Sequence, residues 1–417
     1  MNDTVRTPSV SSLRILFVVQ RYGHDVPGGA ESLCRQLASR LAARGHEVHV
    51  ATTCARSYAD WADEYEVGTT EIDGVSVHRF PVARPRDPGQ FADIAARDTL
   101  GTEPVALELQ EEWMRLQGPW VPELVDWIDE SCDQFDVAVF VTYLYWTTWA
   151  GLRAVAGRVP SVLVPTAHDE PTLKLPLFQL LFATPDAFAF LTAEEAQLVR
   201  QRFPGAAPGA VLGAGVDGDG RADGQANAAA VSAFRERYGV RERAYLVVVG
   251  RLDPGKGSDE IVDYFAAYRE RNPRREIALV VVGEPMHEIA AHPDVIVTGF
   301  VDVETRQAAV SGAAVAVQPS YRESFSLVLA EAWAEGKPAL VQRACAVTNG
   351  QAHRSGGGIP YRGYGEFEAA LDLLLDSRDL AATLGARGRS FVEEQYSWDV
   401  VLPRYERVLQ ALATSRT

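Results

Sequence analysis

Val247-Val-Val-Gly250-Arg251-Leu-Asp-Pro-Gly255-Lys256-Gly257 is a run of three valines that empties into a loop of three glycines and two cations. An unbroken apolar run suits a strand buried on both faces, as in a parallel sheet. Helical spacing resumes directly after it, from Asp259 to Arg269. Strand, glycine loop and helix in that order open a βαβ unit, and such sheets bind ligands beyond the carboxyl ends of their strands. Arg251 and Lys256 would stand at that end. A guanidinium and an ammonium on one loop suit a diphosphate with no metal needed to neutralise it; the other reading is a solvated basic turn. The pattern GxxxxGK[ST] is absent, so this is not a P-loop.

Working outward, the same alternation continues on both sides. Strands are expected at Ile277–Gly283, Val295–Thr298, Ala314–Gln318 and Ala339–Gln342, with helices at Thr305–Ser311 and Ser326–Glu335. Toward the N-terminus, Arg14–Gln20 encloses a strand, and Leu33, Leu37 and Leu41 put one buried stripe on a helix from Ala30 to Arg44. Gly45 ends that helix and Glu47–Thr52 is the next strand; Asp136–Val141, Ala150–Gly157 and Ser161–Pro165 repeat the unit. Between Gly205 and Ala230 aromatics vanish while Gly, Ala, Pro and Asp dominate, which reads as a linker. The segments Phe367–Leu375 and Ser377–Leu409 read as helix. The expected fold is α/β: two doubly wound Rossmann-like domains, residues 1–215 and 230–397, facing each other across a cleft.

The 417 residues are 47% apolar and 23% charged, which excludes disordered, collagen-like and disulfide-scaffold classes. Forty Lys+Arg against 56 Asp+Glu leave a formal charge of −16, so the surface as a whole repels nucleic acid and anionic lipid. Only Lys174, Lys256 and Lys337 are lysines. Cys34, Cys54, Cys132 and Cys345 have no CxxC spacing and read as buried thiols of a reducing compartment. The apolar run Ile15–Val19 is too short for a signal peptide, and Val137–Leu152 is too short to span a bilayer. The expectation is a cytoplasmic protein that at most rests on the inner face of the membrane.

Several motifs have two readings. Gly213-Ala-Gly215-Val-Asp-Gly218 spells GxGxxG, but turn residues follow it where a dinucleotide site needs a helix. Asp217, Asp219 and Asp223 have calcium-loop spacing, yet Ala228 stands where the closing Glu belongs. Both are set aside. Val26-Pro-Gly28-Gly29-Ala-Glu31 joins a strand to a helix; its glycines either admit a bulky anion or serve the turn sterically, and Glu31 reads as complementing the helix dipole. His168, in Pro165-Thr-Ala-His168-Asp169, is either structural or aimed into the site as donor or acceptor. Glu323 follows a strand, and Glu331 sits in an otherwise apolar helix. Facing inward, Glu331 needs a hydrogen-bonding partner, which sugar hydroxyls would supply; facing outward, it needs none. The aromatic stretch Val137–Trp149 and the apolar Leu173–Leu181 would either touch an acceptor or pack in the core. Arg269, Arg271, Arg274 and Arg275 read as a solvated helix end.

Taken together and in order, these residues resemble a glycosyltransferase of the GT-B fold, specifically the retaining family 4. The resemblance rests on Gly28-Gly29-Ala30-Glu31, His168-Asp169, Gly213-Ala-Gly215-Val216-Asp217, Gly250-Arg251 with Lys256-Gly257, and Glu323 and Glu331 with seven residues between, the family's EX7E signature. It implies a nucleotide-diphosphate sugar, UDP- or GDP-linked, in the second domain. Gly250, Arg251 and Lys256 would hold the pyrophosphate, and Glu331 the ribose. Glu323 would take hydroxyls of the transferred sugar, beside backbone N–H groups at Ser324, Phe325, Ser326 and Leu327. His168, Gly28 and Gly29 would serve from the first domain. It implies no cofactor and no metal, an acceptor sugar or lipid-linked sugar, no nucleic acid, and a C-terminal helix, 398–417, packed back on the first domain. The family usually has Gly where this chain has Ser326, which bears on the choice of sugar. A GT-B nucleotide-sugar epimerase and a non-catalytic nucleotide-binding protein are the alternatives.

Overall fold

The computed structural model describes residues 12–99, 106–217, 224–250, 254–285 and 291–415. It divides into two compact units. The first comprises residues 1–191, 195–212 and 402–417, the second 192–194 and 213–401.

The first unit is built on eight strands: β1 (Arg14–Val18), β2 (Glu47–Thr53), β3 (Gly68–Ile72), β4 (Val75–Phe80), β5 (Val137–Val141), β6 (Ser161–Val164), β7 (Ala187–Phe190) and β8 (Gly209–Val211). Their order is β3-β4-β2-β1-β5-β6-β7-β8, all parallel except the β3–β4 hairpin. Every residue of β5 and β6 is buried, as a sheet covered on both faces demands. The core includes Phe140, Tyr143, Trp149, Leu173, Leu177, Phe178 and Leu181. Of the two readings for Val137–Trp149 and Leu173–Leu181, core packing therefore accounts for most of both stretches. The last helix, Trp398–Thr414, contributes Glu406, which pairs with Arg44 at 2.6 Å and meets the buried His46 at 3.4 Å.

The second unit has six strands: β9 (Ala244–Val249), β10 (Ile277–Val282), β11 (Val295–Val297), β12 (Val315–Gln318), β13 (Ala339–Gln342) and β14 (Gly358–Tyr361). They run parallel in the order β11-β10-β9-β12-β13-β14.

The stretch expected to be a linker contains β8 and the start of the helix Gly224–Arg237, whose alanines favour helix. Two glycines of the discarded GxGxxG serve packing: a Cβ at Gly215 would lie 2.2 Å from the Trp398 ring, and one at Gly213 3.3 Å from the Tyr396 ring. All four cysteines are free and buried. The arginine cluster is compensated, Arg269 by Asp294 at 2.9 Å, Arg271 by Glu368 at 2.8 Å and Arg275 by Asp376 at 2.8 Å. No described helix is long and apolar enough to cross a membrane.

Candidate functional site

Both sheets reverse their strand order once, between β1 and β5 and between β9 and β12. Loops leaving adjacent strands at such a point diverge to opposite faces and open a crevice, the usual ligand site of this architecture.

In the second unit, Gly250 leaves β9 with φ 137°, a conformation that favours glycine, while its N–H donates to the Val282 carbonyl. Arg251 lies outside the described residues. Lys256 closes a 3-10 turn, Pro254–Lys256. Gly257 follows at φ 68°, and a Cβ there would lie 2.4 Å from the Pro319 carbonyl oxygen. Only glycine lets the β9 and β12 loops touch at this point. The contact delivers Lys256 to Glu323: Nζ donates to Oε1 at 2.8 Å. Glu323 is 14% exposed and Lys256 44%, so the ammonium remains open to a ligand while the carboxylate lies below it.

The β12 loop is braced from beneath. Ser320 is buried and donates to the Arg322 carbonyl, and the Tyr321 hydroxyl donates to Glu260 at 2.7 Å. Glu260 also accepts from Gln342, at the end of β13. Phe325 is core, edge-on to Tyr396 at 4.7 Å, so only its backbone could serve a ligand. Ser324 is half-buried, and Leu327 opens the helix Leu327–Ala334. Ser326 precedes that helix at φ 70° and ψ 76°, left-handed backbone that L side chains rarely adopt. Its hydroxyl accepts from the Gln318 amide at 2.5 Å. Thus Ser326 keeps a glycine conformation, and its hydroxyl is occupied by a side chain of β12.

Glu331 matches neither simple expectation. It is about one-third exposed, and its carboxylate accepts from the Arg306 guanidinium at 2.7 Å, the partner that the sequence reading assigned to sugar hydroxyls. Burial pushes its pKa up, opposed by the Arg306 charge.

In the first unit the loop between β1 and the helix Gly29–Ala43 is held by a buried ion pair. Glu31 stands in the first turn of that helix, as expected for a residue that complements the dipole, but it is buried and paired. Its Oε1 accepts from Arg21 Nη2 at 2.5 Å and from Gln20 Nε2 at 2.8 Å. Arg21 also donates to the carbonyls of Arg56 and Pro27, tying both flanks of the loop. A Cβ at Gly28 would lie 2.1 Å from the Glu31 carboxylate, so this glycine makes room for the pair. Gly29 begins the helix.

From β5 and β6 come Tyr143 and His168. The Tyr143 hydroxyl donates to Glu170 at 2.5 Å, and His168 Nδ1 lies 3.8 Å from the same carboxylate oxygen. Burial and the Glu170 charge raise the Tyr143 pKa well above the usual phenol range. His168 is 30% exposed. Its turn is anchored by the buried Glu195, which accepts the N–H groups of Ala167 and Leu191 at 2.7 and 2.6 Å. Tyr145 is pushed up to about 12, first by burial and then by the Glu31 charge, with Arg21, Arg86 and Glu170 also acting on it. Among the described residues no group of three or more His, Cys, Asp or Glu is placed to hold a metal ion.

The sequence analysis did not pick out Arg21, Glu170, Glu195, Glu260 or Arg306 as site residues. Each lies far in sequence from the group it holds or looks like an ordinary surface charge.

The family described as "Glycosyl transferase 4-like domain" matches residues 28–215, and "Glycosyl transferases group 1" matches residues 243–377. The chain belongs with the GT-B glycosyltransferases. One relative is the D-inositol 3-phosphate glycosyltransferase of Gordonia bronchialis, 31% identical over 198 residues, which are 42% of each chain. Another is a GDP-mannose-dependent alpha-(1-6)-phosphatidylinositol monomannoside mannosyltransferase of Mycobacterium tuberculosis, 29% identical over 42% of this chain and 49% of that one. The chain thus aligns with less than half the length of each of these relatives. Among solved structures, sucrose-phosphate synthase of Thermosynechococcus elongatus superposes with a TM-score of 0.70 at 18% identity, covering 97% of this chain and all of that one. Anabaena HepE in complex with UDP and glucose gives 0.69 at 15% identity, over 96% and 100%. At such identities these two speak for the GT-B fold alone.

Proposed function

We propose that this glycosyltransferase-type chain transfers a sugar from a nucleotide-diphosphate donor to an acceptor hydroxyl, with retention of anomeric configuration. The observation that carries the proposal is the Lys256–Glu323 contact at the β9–β12 reversal of the second sheet. Breaking the anomeric C–O bond places positive character on the sugar and negative charge on the departing diphosphate. Lys256 would bind that diphosphate, with Arg251, five residues before it in the sequence, as the second cation, so stabilisation would act where charge develops. Two cations would do this without a divalent ion. Glu323 is placed beside the cation to accept from hydroxyls of the transferred sugar. Glu331, already bonded to Arg306, keeps a second carboxylate oxygen for the ribose. Backbone N–H groups from Ser324 to Leu327 serve the same sugar. In the first unit His168 and the Gly28–Gly29 turn are the groups offered to the reaction, and the acceptor is a sugar or lipid-linked sugar.

Front-face attack needs no protein nucleophile, so no covalent glycosyl-enzyme forms. The test is incubation of the full chain with UDP- and GDP-sugars, each with and without candidate acceptors, in EDTA, followed by product analysis and intact-protein mass spectrometry. A product of retained configuration, dependent on acceptor, with no sugar adduct on the protein, upholds the reading. A glycosyl adduct contradicts front-face attack. Conversion of the donor alone to a stereoisomer points instead to an epimerase.

A further inference from the structure

Backbone strain in the first unit gathers where β5 and β6 end. Among the described residues six non-glycine residues have positive φ, and the β-branched ones are Thr142, at 73°, and Thr166, at 50°. A branched Cβ makes that conformation costly, and it persists only where the surroundings hold it. Thr142 follows β5 directly, and Thr166 stands two residues past the end of β6. Both are held. The Thr166 hydroxyl donates to the Thr142 hydroxyl at 3.2 Å, and the buried Thr148 hydroxyl donates to the Thr142 carbonyl at 2.7 Å. The N–H groups of Thr142 and Tyr143 donate to the carbonyls of Val164 and Pro165.

Each strained residue leads into a polar side chain of one group. Tyr143 follows Thr142, His168 lies two residues beyond Thr166, and Glu170 two beyond that. The Tyr143 hydroxyl donates to Glu170 Oε1, and the same oxygen faces His168 Nδ1 at 3.8 Å. Burial first, and then the Glu170 charge, raise the Tyr143 pKa, so the phenol keeps its proton and stays a donor. Glu195 fixes the turn from the other side by accepting the Ala167 N–H.

The imidazole is placed edge-in. Its Nδ1 is buried although the side chain as a whole is 30% exposed, so the ring turns outward the edge that carries Nε2. An ionised carboxylate only accepts hydrogen bonds. Set opposite Nδ1, it favours the neutral imidazole whose proton is on that nitrogen, and Nε2 is then left with its lone pair.

We infer that Glu170 is a positioning residue for His168: it holds the Nδ1–H edge inward and leaves Nε2 as the acceptor that meets a substrate hydroxyl. Donation to Nε2 by that hydroxyl makes Nδ1–H a stronger donor, and the 3.8 Å separation closes in the complex. Tyr143 fixes the carboxylate, and the Thr142–Thr166 pair fixes the two strand ends that carry the group. The strain is kept because relaxing either strand end would displace Tyr143 or the His168 turn. The inference rests on the proposed transferase reading, which offers His168 to the reaction, and adds the residues that set its orientation.

The test is nitrogen-15 NMR of the histidine side chains in the full chain at pH 8, above the ordinary histidine range, with His168 assigned through His168→Gln. The expected result is a proton on Nδ1 in the wild type and on Nε2 in Glu170→Met. Glu170→Gln keeps a carbonyl oxygen, which the Tyr143 phenol turns to the Oε1 position, so it should retain the Nδ1 form. Tyr143→Phe combined with Glu170→Gln should lose it, and this pair decides where Glu170→Met fails to fold. With the donor and acceptor identified by product analysis, Glu170→Met should lower kcat about tenfold while UDP and GDP affinities stay unchanged, and Glu170→Gln should recover most of the rate. Thr166→Gly relieves strain and loses one hydroxyl contact; it should melt within about 3 °C of the wild type yet turn over severalfold more slowly, a split that a merely structural role would not give. A proton on Nε2 in the wild type, an Nδ1 form that persists in Glu170→Met, or a full rate in Thr166→Gly overturns the inference. Absence of transfer by the wild type removes the transferase reading instead, and the spectra then decide the orientation of His168 on their own.

Discussion

The ammonium of Lys256 and the carboxylate of Glu323 lie 2.8 Å apart, across the loops that leave β9 and β12. Each screens the other, so an incoming diphosphate competes with Glu323 for the cation. Removing the carboxylate therefore should not weaken free diphosphate. Glu323→Ala is expected to bind the nucleoside diphosphate as tightly as wild type or a fewfold tighter, while its transfer rate falls by about a hundredfold or more. Lys256→Ala should lose tenfold or more in diphosphate affinity. Parallel loss of diphosphate binding in both variants would mean that the pair only shapes the loop.

Arg21 and Glu31 are 4% and 6% exposed, a buried pair at the first loop. Deleting one partner strands a buried charge, which costs about 3–5 kcal/mol. Arg21→Ala and Glu31→Ala should each lower the urea midpoint of the first unit by that measure, and Arg21→Met with Glu31→Leu together by much less than the sum. Most tryptophans lie in this unit, so their fluorescence reports it. Additive losses would show that the pair is not coupled.

Ser326 combines a left-handed backbone with a hydrogen bond from Gln318. Ser326→Gly relieves roughly 1 kcal/mol of backbone strain and loses about 1 kcal/mol of hydrogen bonding, so its melting point should stay near wild type. Ser326→Ala keeps the strain and loses the bond. It should be the less stable variant in thermal denaturation; the reverse order would show that the hydroxyl contributes nothing.

His78 packs against Trp127 and stacks on His49, with His49 Nδ1 and His78 Nε2 2.9 Å apart. Burial first, and the His49 charge second, lower its pKa from 6.5 to about 4. The unfolded chain therefore takes up a proton near pH 6.5 that the folded chain refuses until about 4. Stability should be full above pH 6.5 and fall as pH drops through that window. His78→Gln should flatten this slope in urea titrations at pH 7.5, 5.5 and 4.5; an unchanged slope assigns it to other groups.

Much of the fold was legible because parallel strands are continuous apolar runs and their helices carry a single stripe. The predicted helix Ala30–Arg44 and the observed Gly29–Ala43 differ by one residue at each end. The β3–β4 hairpin was overlooked although Asp73-Gly74 announces it, both residues having positive φ, 52° and 76°; β3 is an exposed edge with little apolar pattern. At the site, the types of Lys256, Glu323 and Glu331 suggested their chemistry, but their partners did not show. Glu331 meets Arg306 from a separate helix, and Lys256 meets Glu323 from 67 residues away. Local pattern carries no trace of such pairings. The partner of Glu31 is hidden for the same reason: Arg21 resembles any cation at a strand end until the fold buries it.

The most direct test of the account is thermal stabilisation of the full chain by UDP, GDP, ADP, dTDP and NAD, in EDTA, with Lys256→Ala beside the wild type. A ligand at about a hundred times its dissociation constant adds about 2.7 kcal/mol of stability, readily seen as a melting shift. The account predicts that one nucleoside diphosphate raises the melting temperature of the wild type and that Lys256→Ala loses the shift. Stabilisation by NAD alone, or an equal shift in the variant, would contradict it.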